Sequence, residues 1–583
     1  MRAWELWAAP RRYRWTRMLR APRPALPLQG LLAGTTLLLL ALCGAFPLSL
    51  LVWQSFGGTD ELTLRSYGAL LSSQSDVEAL WNTILLSGLV MVVSALAGAA
   101  LAWLLTCTDL PGKALWRALL VTGYLEFFPP LIGTIAWIHA LNPRIGYLNG
   151  LLQPILGLNT GPFDVFSLGG MVWVTALYCY PLVSLAVEGA LRRRDPTLEE
   201  EARLAGASAW QTARRVILPT ILPVMLTSGL LSFSWAAASF GIAIFIGSPA
   251  GFHVLSTRIL SALQTGGSDA FDETMALSGM LMGIGLIVGG IGSWLARRAT
   301  QAIPSVAPNH ARLVSLHRWR IPLLGFLTLV ATLTIALPVA SLVLASFSSV
   351  AGLGLSPENL TLEHYWYLLS QHHLTMPGLQ NSLLLGAVSA TVVIALGTML
   401  AYLRRPGRQS RNGLGAVTSF LIWLPSATPP TVYALALVLA FSGRYGINLY
   451  ATFAMLLVAY AMKDLAGGMR SASTTLGTID RSLDDELRLA GAARWWTVRH
   501  LQVPLLRPGL IAGWLLVFIP AFREISMSII LYGPFTATAG VVLYELQNGG
   551  YYQSAAALSV LMLVVVGTAT LAAKRVISRA TRG

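Results

Sequence analysis

Two acidic segments carry the most distinctive spacing in this sequence. Glu200-Glu201-Ala202-Arg203-Leu204-Ala205-Gly206 has a second copy in Asp485-Glu486-Leu487-Arg488-Leu489-Ala490-Gly491, 285 residues further on. In each copy a proline, Pro219 or Pro504, follows the glycine by thirteen residues. At the same offset Trp210 meets Trp495, Thr212 meets Thr497, Arg214 meets Arg499 and Pro223 meets Pro508. Carboxylates in a first helical turn favour the helix dipole, and Asp195-Pro196-Thr197 adds a stop and a cap ahead of the first copy. The glycine that follows breaks the helix or lets another backbone come close. One such segment would be an ordinary solvated helix at 197–213, ending before Ile217-Leu218-Pro219. Two copies with identical spacing are more than that.

A second set of chemically capable residues lies inside apolar stretches: Glu126, Arg523 and Glu524. Ionisable groups are costly in a bilayer and mark solute paths there, or else pair to lock helices together. Their repeat counterparts are uncharged, Ser426 for Glu126 and Ala238-Ser239 for Arg523-Glu524. The two halves therefore differ where a single solute would pass. If Arg523 pairs with one carboxylate, the other remains and favours a cationic solute or a metal complex. Glu188 and Asp464 fall near span ends, where solvent is expected to reach them. No metal site is assigned; His372-His373 is the nearest approach to one, and the three cysteines are far apart and read as small core hydrophobes. No G-x-x-x-x-G-K-[S/T] occurs: Gly112-Lys113 is the one Gly-Lys pair, with Cys107 where the first glycine belongs. The chain also lacks a polar catalytic cluster, so it is not read as an enzyme.

The elements that must position these residues are membrane helices. The 583 residues are 55% hydrophobic and 11% charged, with a mean hydropathy of +0.65. Soluble domains carry roughly a quarter charged residues. Apolar runs long enough to cross the hydrocarbon core, about 20 residues each, recur about twelve times. They fall at 31–53, 80–106, 117–140, 169–190, 221–247 and 276–296, then at 321–346, 380–403, 416–441, 448–463, 508–531 and 554–573.

The net charge of +15 is a topology signal and excludes a nucleic-acid reading. Seven arginines occupy the first thirty residues, and every second connection is basic: Lys113/Arg117, Arg192–Arg215, Arg297–Arg320, Arg404–Arg411, Lys463–Arg507 and Lys574–Arg582. The intervening connections hold only Arg65, Arg144, Arg258 and Arg444. Basic residues resist translocation, so both termini are expected in the cytoplasm. Residues 1–30 form a basic interfacial segment ahead of a retained signal anchor, in contact with membrane lipid.

Duplication extends beyond the acidic segments. Asn82 corresponds to Asn381, Pro111-Gly112 to Pro406-Gly407 and Pro129-Pro130 to Pro429-Pro430. The fold class is all-α, with two homologous six-helix halves at 31–297 and 321–575. A linker at 298–320 joins them, and a basic tail at 576–583 follows. Such parallel repeats place a pathway between the halves. In the sixth span Gly279, Gly283, Gly285 and Gly289 form two G-x-x-x-G pairs suited to close helix packing.

The doubled acidic segment is similar to the E-A-A…G…L-P loop of type I ABC importer permeases, and the likeness spans nearly the whole chain. In that family the loop is a coupling helix that docks in a cleft of the ATP-binding subunit. The resemblance gives Glu200 and Asp485 the acidic lead position, Gly206 and Gly491 the turn, and Pro219 and Pro504 the loop end. Glu201 and Glu486 depart from the family's first alanine and Leu487 from its second, which Ala202 keeps. The fused arrangement, with Leu110-Pro111-Gly112 and Gly170-Met171-Val172 to Tyr180-Pro181, resembles ferric-iron permeases; thiamine, phosphonate and polyamine permeases are close kin. The resemblance implies a multi-pass bacterial inner-membrane subunit binding no cofactor of its own. Two copies of an ABC ATPase using ATP and a periplasmic or extracellular solute-binding protein would be its partners. An ion-coupled secondary transporter with six-plus-six helices is the alternative, but it needs no duplicated docking loop.

Overall fold

The computed structural model describes residues 34–57, 63–123, 129–193, 197–302, 313–353, 356–403, 414–477 and 503–580, and these are helical almost throughout. In the first half the main helices are α1 (Gly34–Ser55), α2 (Gln74–Cys107), α3 (Pro130–Leu141) and α4 (Leu168–Arg193). They continue as α5 (Thr197–Leu204), α6 (Trp210–Ala238), α7 (Leu255–Thr265) and α8 (Ala270–Arg298). The second half holds α9 (His317–Phe347), α10 (Thr375–Tyr402), α11 (Gly415–Ala427), α12 (Pro430–Phe441) and α13 (Phe453–Leu476). It ends with α14 (Val503–Phe522), α15 (Ala539–Asn548) and α16 (Tyr552–Arg575).

Nine of these are single helices long and apolar enough to cross a bilayer. The run expected at 416–441 is a tenth, bent by 110° between α11 and α12. The bend falls at Pro429-Pro430, where the chain loses two backbone donors and Pro429 sits at ψ 140°, outside helical geometry. The same Pro-Pro pair opens α3, the apolar helix of the 117–140 run, which is only 12 residues long. The run expected to end at 463 continues to Leu476, so Lys463 and Asp464 are interior residues of α13 rather than the start of a basic connection.

Each half is built around one tight helix pair. A Cβ on Gly98 of α2 would stand 2.7 Å from the Tyr180 carbonyl oxygen of α4, and one on Gly397 of α10 would stand 2.8 Å from the Met469 nitrogen of α13. Only glycine lets these backbones approach so closely. In the sixth span Gly279 alone is as crowded, against the Tyr67 hydroxyl at 2.4 Å; Gly283 faces open space. The halves interlock through their first spans. α1 packs on α12 of the second half, while α9 packs on α3 of the first. Tyr433, fully buried in α12, donates to the Cys43 carbonyl of α1 at 2.6 Å, and Tyr147 bonds Ser348 across the halves at 2.8 Å.

The end of α2 also grips the segment that enters α9. Thr108 pairs with Val314 in a parallel bridge, with Val314 N–H to Cys107 O at 2.8 Å and Asp109 N–H to Val314 O at 3.1 Å. The Asp109 carboxylate accepts from Leu316 N–H at 2.9 Å, from Ser315 Oγ at 3.1 Å and from Arg320.

Candidate functional site

The first acidic segment folds as two short helical turns around a glycine. α5 carries Glu199 and Glu200 in its first turn, as its dipole favours, with Glu200 and Glu201 exposed. Gly206 then takes a left-handed φ of +83°, and Ala207 N–H reaches back to Ala202 O at 2.9 Å, the 6→1 bond of a Schellman cap. A Cβ at Gly206 would meet nothing within 4 Å, so it is the left-handed φ that demands glycine here.

Ser208 starts the next helix with a capping box that the sequence reading missed. Its Oγ accepts from Gln211 N–H at 3.2 Å, and Gln211 Oε1 accepts from Ser208 N–H at 2.8 Å. The S-x-x-Q spacing was the available signal. Around this turn Leu198, Leu204 and Trp210 are 49%, 88% and 73% exposed, a concentration of apolar surface on an otherwise charged loop.

Pro219 does not end the loop, contrary to expectation. α6 runs through it, with the π-helical stretch Ala213–Ile217 just ahead. A π-turn shifts the hydrogen-bond register, so the missing proline donor and the ring are accommodated without a break. In the second copy Asp485, Glu486 and Gly491 lie outside the described residues, while Pro504 is exposed in the first turn of α14.

Of the candidate path residues, Glu126 lies outside the described residues. Arg523 and Glu524 follow directly on the end of α14, and α6 ends at Ala238, the matching position one repeat earlier. Glu524 turns back on its own chain, Oε1 accepting from Met527 N–H at 2.9 Å. Among the described residues Arg523 forms no ion pair, and its Nη1 is shut from solvent without a hydrogen-bond partner. Arg523 and Glu524 thus do not pair with each other, and a pairing of Arg523 with Glu126 falls outside the described residues.

Lys463 was missed as a site residue because a lysine at the end of an apolar run reads as a topology signal. Its Nζ donates to the carbonyls of Pro425 at 3.5 Å, Ser426 at 3.0 Å and Thr428. These are carbonyls that the bend between α11 and α12 strips of helical partners. Asp464 is half-buried eleven residues into α13. Glu188, expected to be solvated, is 5% exposed and held by Arg117 (Nε at 3.2 Å) and Arg192 (Nη2 at 2.8 Å). The Arg117 partner arrives from the preceding span, which sequence spacing could not reveal.

On the opposite side of the membrane Arg258 of α7 bridges Asp76 of α2 at 2.6 Å and Glu273 of α8 at 2.7 Å. Its place in the second half is taken by Val542, packed on Gly378. His372 and His373 stand with ring centroids 5.6 Å apart, and His372 Nδ1 bonds Thr375 Oγ1 at 2.8 Å. Burial and the neighbouring His373 lower the His372 pKa from its ordinary value. No group of three or more His, Cys, Asp or Glu side chains among the described residues could hold a metal ion.

Comparison with known proteins bears on these features as a whole. The chain is 25% identical over 467 residues to the putative ferric transport system permease protein FbpB 1 of Haemophilus influenzae, covering 79% of this chain and 71% of that one. It is 26% identical over 498 residues to the ferric transport system permease protein FbpB of Actinobacillus pleuropneumoniae, covering 84% and 70%. A putative 2-aminoethylphosphonate transport system permease protein, PhnU of Salmonella choleraesuis, is 28% identical over 272 residues, 46% of this chain and 94% of that one. Among solved structures, a bacterial ABC transporter that imports alginate aligns over 45% of this chain and 97% of its own at 16% identity, with a TM-score of 0.37. The model of the binding-protein-dependent transport system inner membrane component matches twice, at residues 81–301 and 393–583. The chain belongs to that family, as an ABC importer permease with two repeats fused in one polypeptide.

Proposed function

We propose that this chain forms the solute pathway of an ABC importer and takes its drive from a separate ATPase through two coupling loops. The observation that carries this reading is the 197–212 turn. A capped, glycine-centred helix pair presents Leu204 and Trp210 to solvent beside exposed carboxylates. Apolar side chains exposed to that degree on a rigid turn are what a partner's cleft would bury. The coupling surface comprises Glu200, Glu201, Ala202 and Gly206 in the first loop and Asp485, Glu486 and Gly491 in the second, with Pro219 and Pro504 in the helices that follow them.

Two loops call for two ATPase copies, and the family's description calls for a solute-binding protein on the opposite face. ATP is then the partner's cofactor, and this chain binds none. The basic connections support an orientation with both termini in the cytoplasm of a bacterial inner-membrane protein. The division into repeats at 31–297 and 321–575 around a linker at 298–320 accompanies this reading.

The path runs between the halves, past Glu126, Arg523 and Glu524. Ferric iron or a similar small solute is the cargo, a reading supported by the names of the ferric and 2-aminoethylphosphonate relatives. Co-purification from cells expressing the chain with a candidate ATPase tests the assignment. Two ATPase subunits per chain are expected, with ATP turnover only in the complex. Turnover by the purified single chain would contradict it.

A further inference from the structure

Among the described residues, charge at the level where the helices break comes from the second half, Glu126 of the first half lying outside them. Lys463, Asp464, Arg523 and Glu524 stand where the first half, one repeat earlier, has Tyr178, Cys179, Ala238 and Ser239. These four charges are not equivalent. Lys463 spends its donors on the carbonyls of Pro425, Ser426 and Thr428. Glu524 is turned away onto Met527 N–H. Asp464 and Arg523 are both half-buried. Arg523 differs in that its Nη1 is shut from solvent without a hydrogen-bond partner among the described residues, while the rest of the side chain is partly open.

A guanidinium donor shut from water without an acceptor is costly, because the hydration it loses is not replaced. Such a donor persists where a ligand supplies the missing acceptor.

Its position is at the seam between the halves. A methyl on Gly241 of the first half would stand 3.8 Å from Ile525 Cγ2 and 3.5 Å from Leu131 Cδ1, so the segment after α14 abuts the first half.

We propose that Arg523, at the seam between the halves, receives an oxyanion group of the transported solute, a phosphonate or the carboxylate shell of a ferric complex. Guanidinium forks match such planar or tetrahedral oxyanions bidentately. The inference rests on the pathway reading and narrows it: the solute presents negative charge at this level, the reverse of what two free carboxylates would select.

Thermal unfolding of the purified full chain in lipid nanodiscs tests it, with methylphosphonate, ferric citrate and putrescine as probes up to millimolar concentration. Saturable stabilisation by methylphosphonate or by ferric citrate is expected, and which of the two acts identifies the source of the oxyanion. Arg523→Gln should weaken that binding at least tenfold, with partial recovery in Arg523→Lys. Stabilisation by putrescine alone, no stabilisation by either anion, or equal anion binding by Arg523→Gln would overturn the proposal. The pathway reading is separable through uptake in the assembled transporter. If Arg523→Gln abolishes uptake yet binds both anions like the parent chain, the pathway stands and the oxyanion role fails. Unchanged uptake together with unchanged binding removes both.

Discussion

Tyr178 and Lys463 occupy equivalent positions in the two halves and perform the same structural task with different chemistry. The helices that carry them start 285 residues apart, at Leu168 and Phe453. Each side chain reaches the main chain where its own half carries the Pro-Pro pair. Tyr178 offers one hydroxyl to Pro129 O, while Lys463 offers an ammonium to three carbonyls at the bend between α11 and α12. A bend of 110° leaves several carbonyls without helical donors, and a cation with three protons answers more of them than a phenol.

Lys463→Met should therefore destabilise the chain by about 1–3 kcal/mol per carbonyl left unsatisfied. Lys463→Arg should recover much of the loss. Thermal unfolding in nanodiscs measures both, and a Met variant as stable as the parent would show that water satisfies the bend.

Glu188→Gln leaves Arg117 and Arg192 facing a neutral amide at a site that is 5% exposed. Removing one partner of a buried ion pair costs roughly 3–5 kcal/mol, and the partly open arginines reduce that to about 2–3 kcal/mol. Denaturant titration should register the loss, whereas Arg192→Gln, at the more exposed arm, should cost less.

The grip of α2 on the segment entering α9 should show a defined pH dependence. The hydrogen bond from Arg320, followed by that from Leu316 N–H, holds the Asp109 carboxyl well below the usual carboxylate range. An acid whose folded pKa is depressed contributes stability above its unfolded value, about 3.9, and loses it as pH falls through the folded value. Protection of the amides at residues 313–316 from hydrogen exchange, relative to intrinsic rates at each pH, should stay high and flat from pH 8 to 5. In Arg320→Gln, protection should weaken already near pH 4. A parent chain whose protection collapses between pH 6 and 5 would contradict the assignment.

Ser208→Ala removes the capping oxygen at the second helix of the 197–212 turn, a loss of about 1 kcal/mol of local helix stability. Amide exchange at Gln211 should quicken with membrane insertion unaffected. Unchanged exchange would mean that the Schellman cap at Gly206 holds the turn alone.

The fold was legible because membrane helices announce themselves by length and hydropathy, and because duplication doubles every weak signal. Gly206 was readable as a helix break for the same reason: its left-handed φ suits glycine, and the second copy of the segment has a glycine at the same place in the sequence. Pro219 misled, since a proline near a helix start reads as a boundary while a π-turn can absorb it. Lys463 and Glu188 misled in a related way. Charge near the end of an apolar run signals topology in sequence, yet here each is satisfied by a neighbouring span or by bent backbone. The grip of Asp109 on residues 314–320 and the crossing of α1 and α9 into the opposite halves are long-range relations that periodicity does not encode.

The proposed coupling runs through two glycine-centred loops that transmit a partner's ATP hydrolysis to a path between the halves. Its most direct measurement is ATP-driven solute uptake into proteoliposomes holding the chain, its ATPase and its binding protein, compared among the parent, Gly206→Leu and Gly491→Leu. A branched side chain at a left-handed φ strains the turn by about 1–2 kcal/mol and fills the space left for a partner. The account predicts intact assembly and insertion, with uptake and binding-protein-stimulated ATP hydrolysis reduced at least tenfold in one or both variants. Parent-level uptake and stimulation in both variants would contradict it.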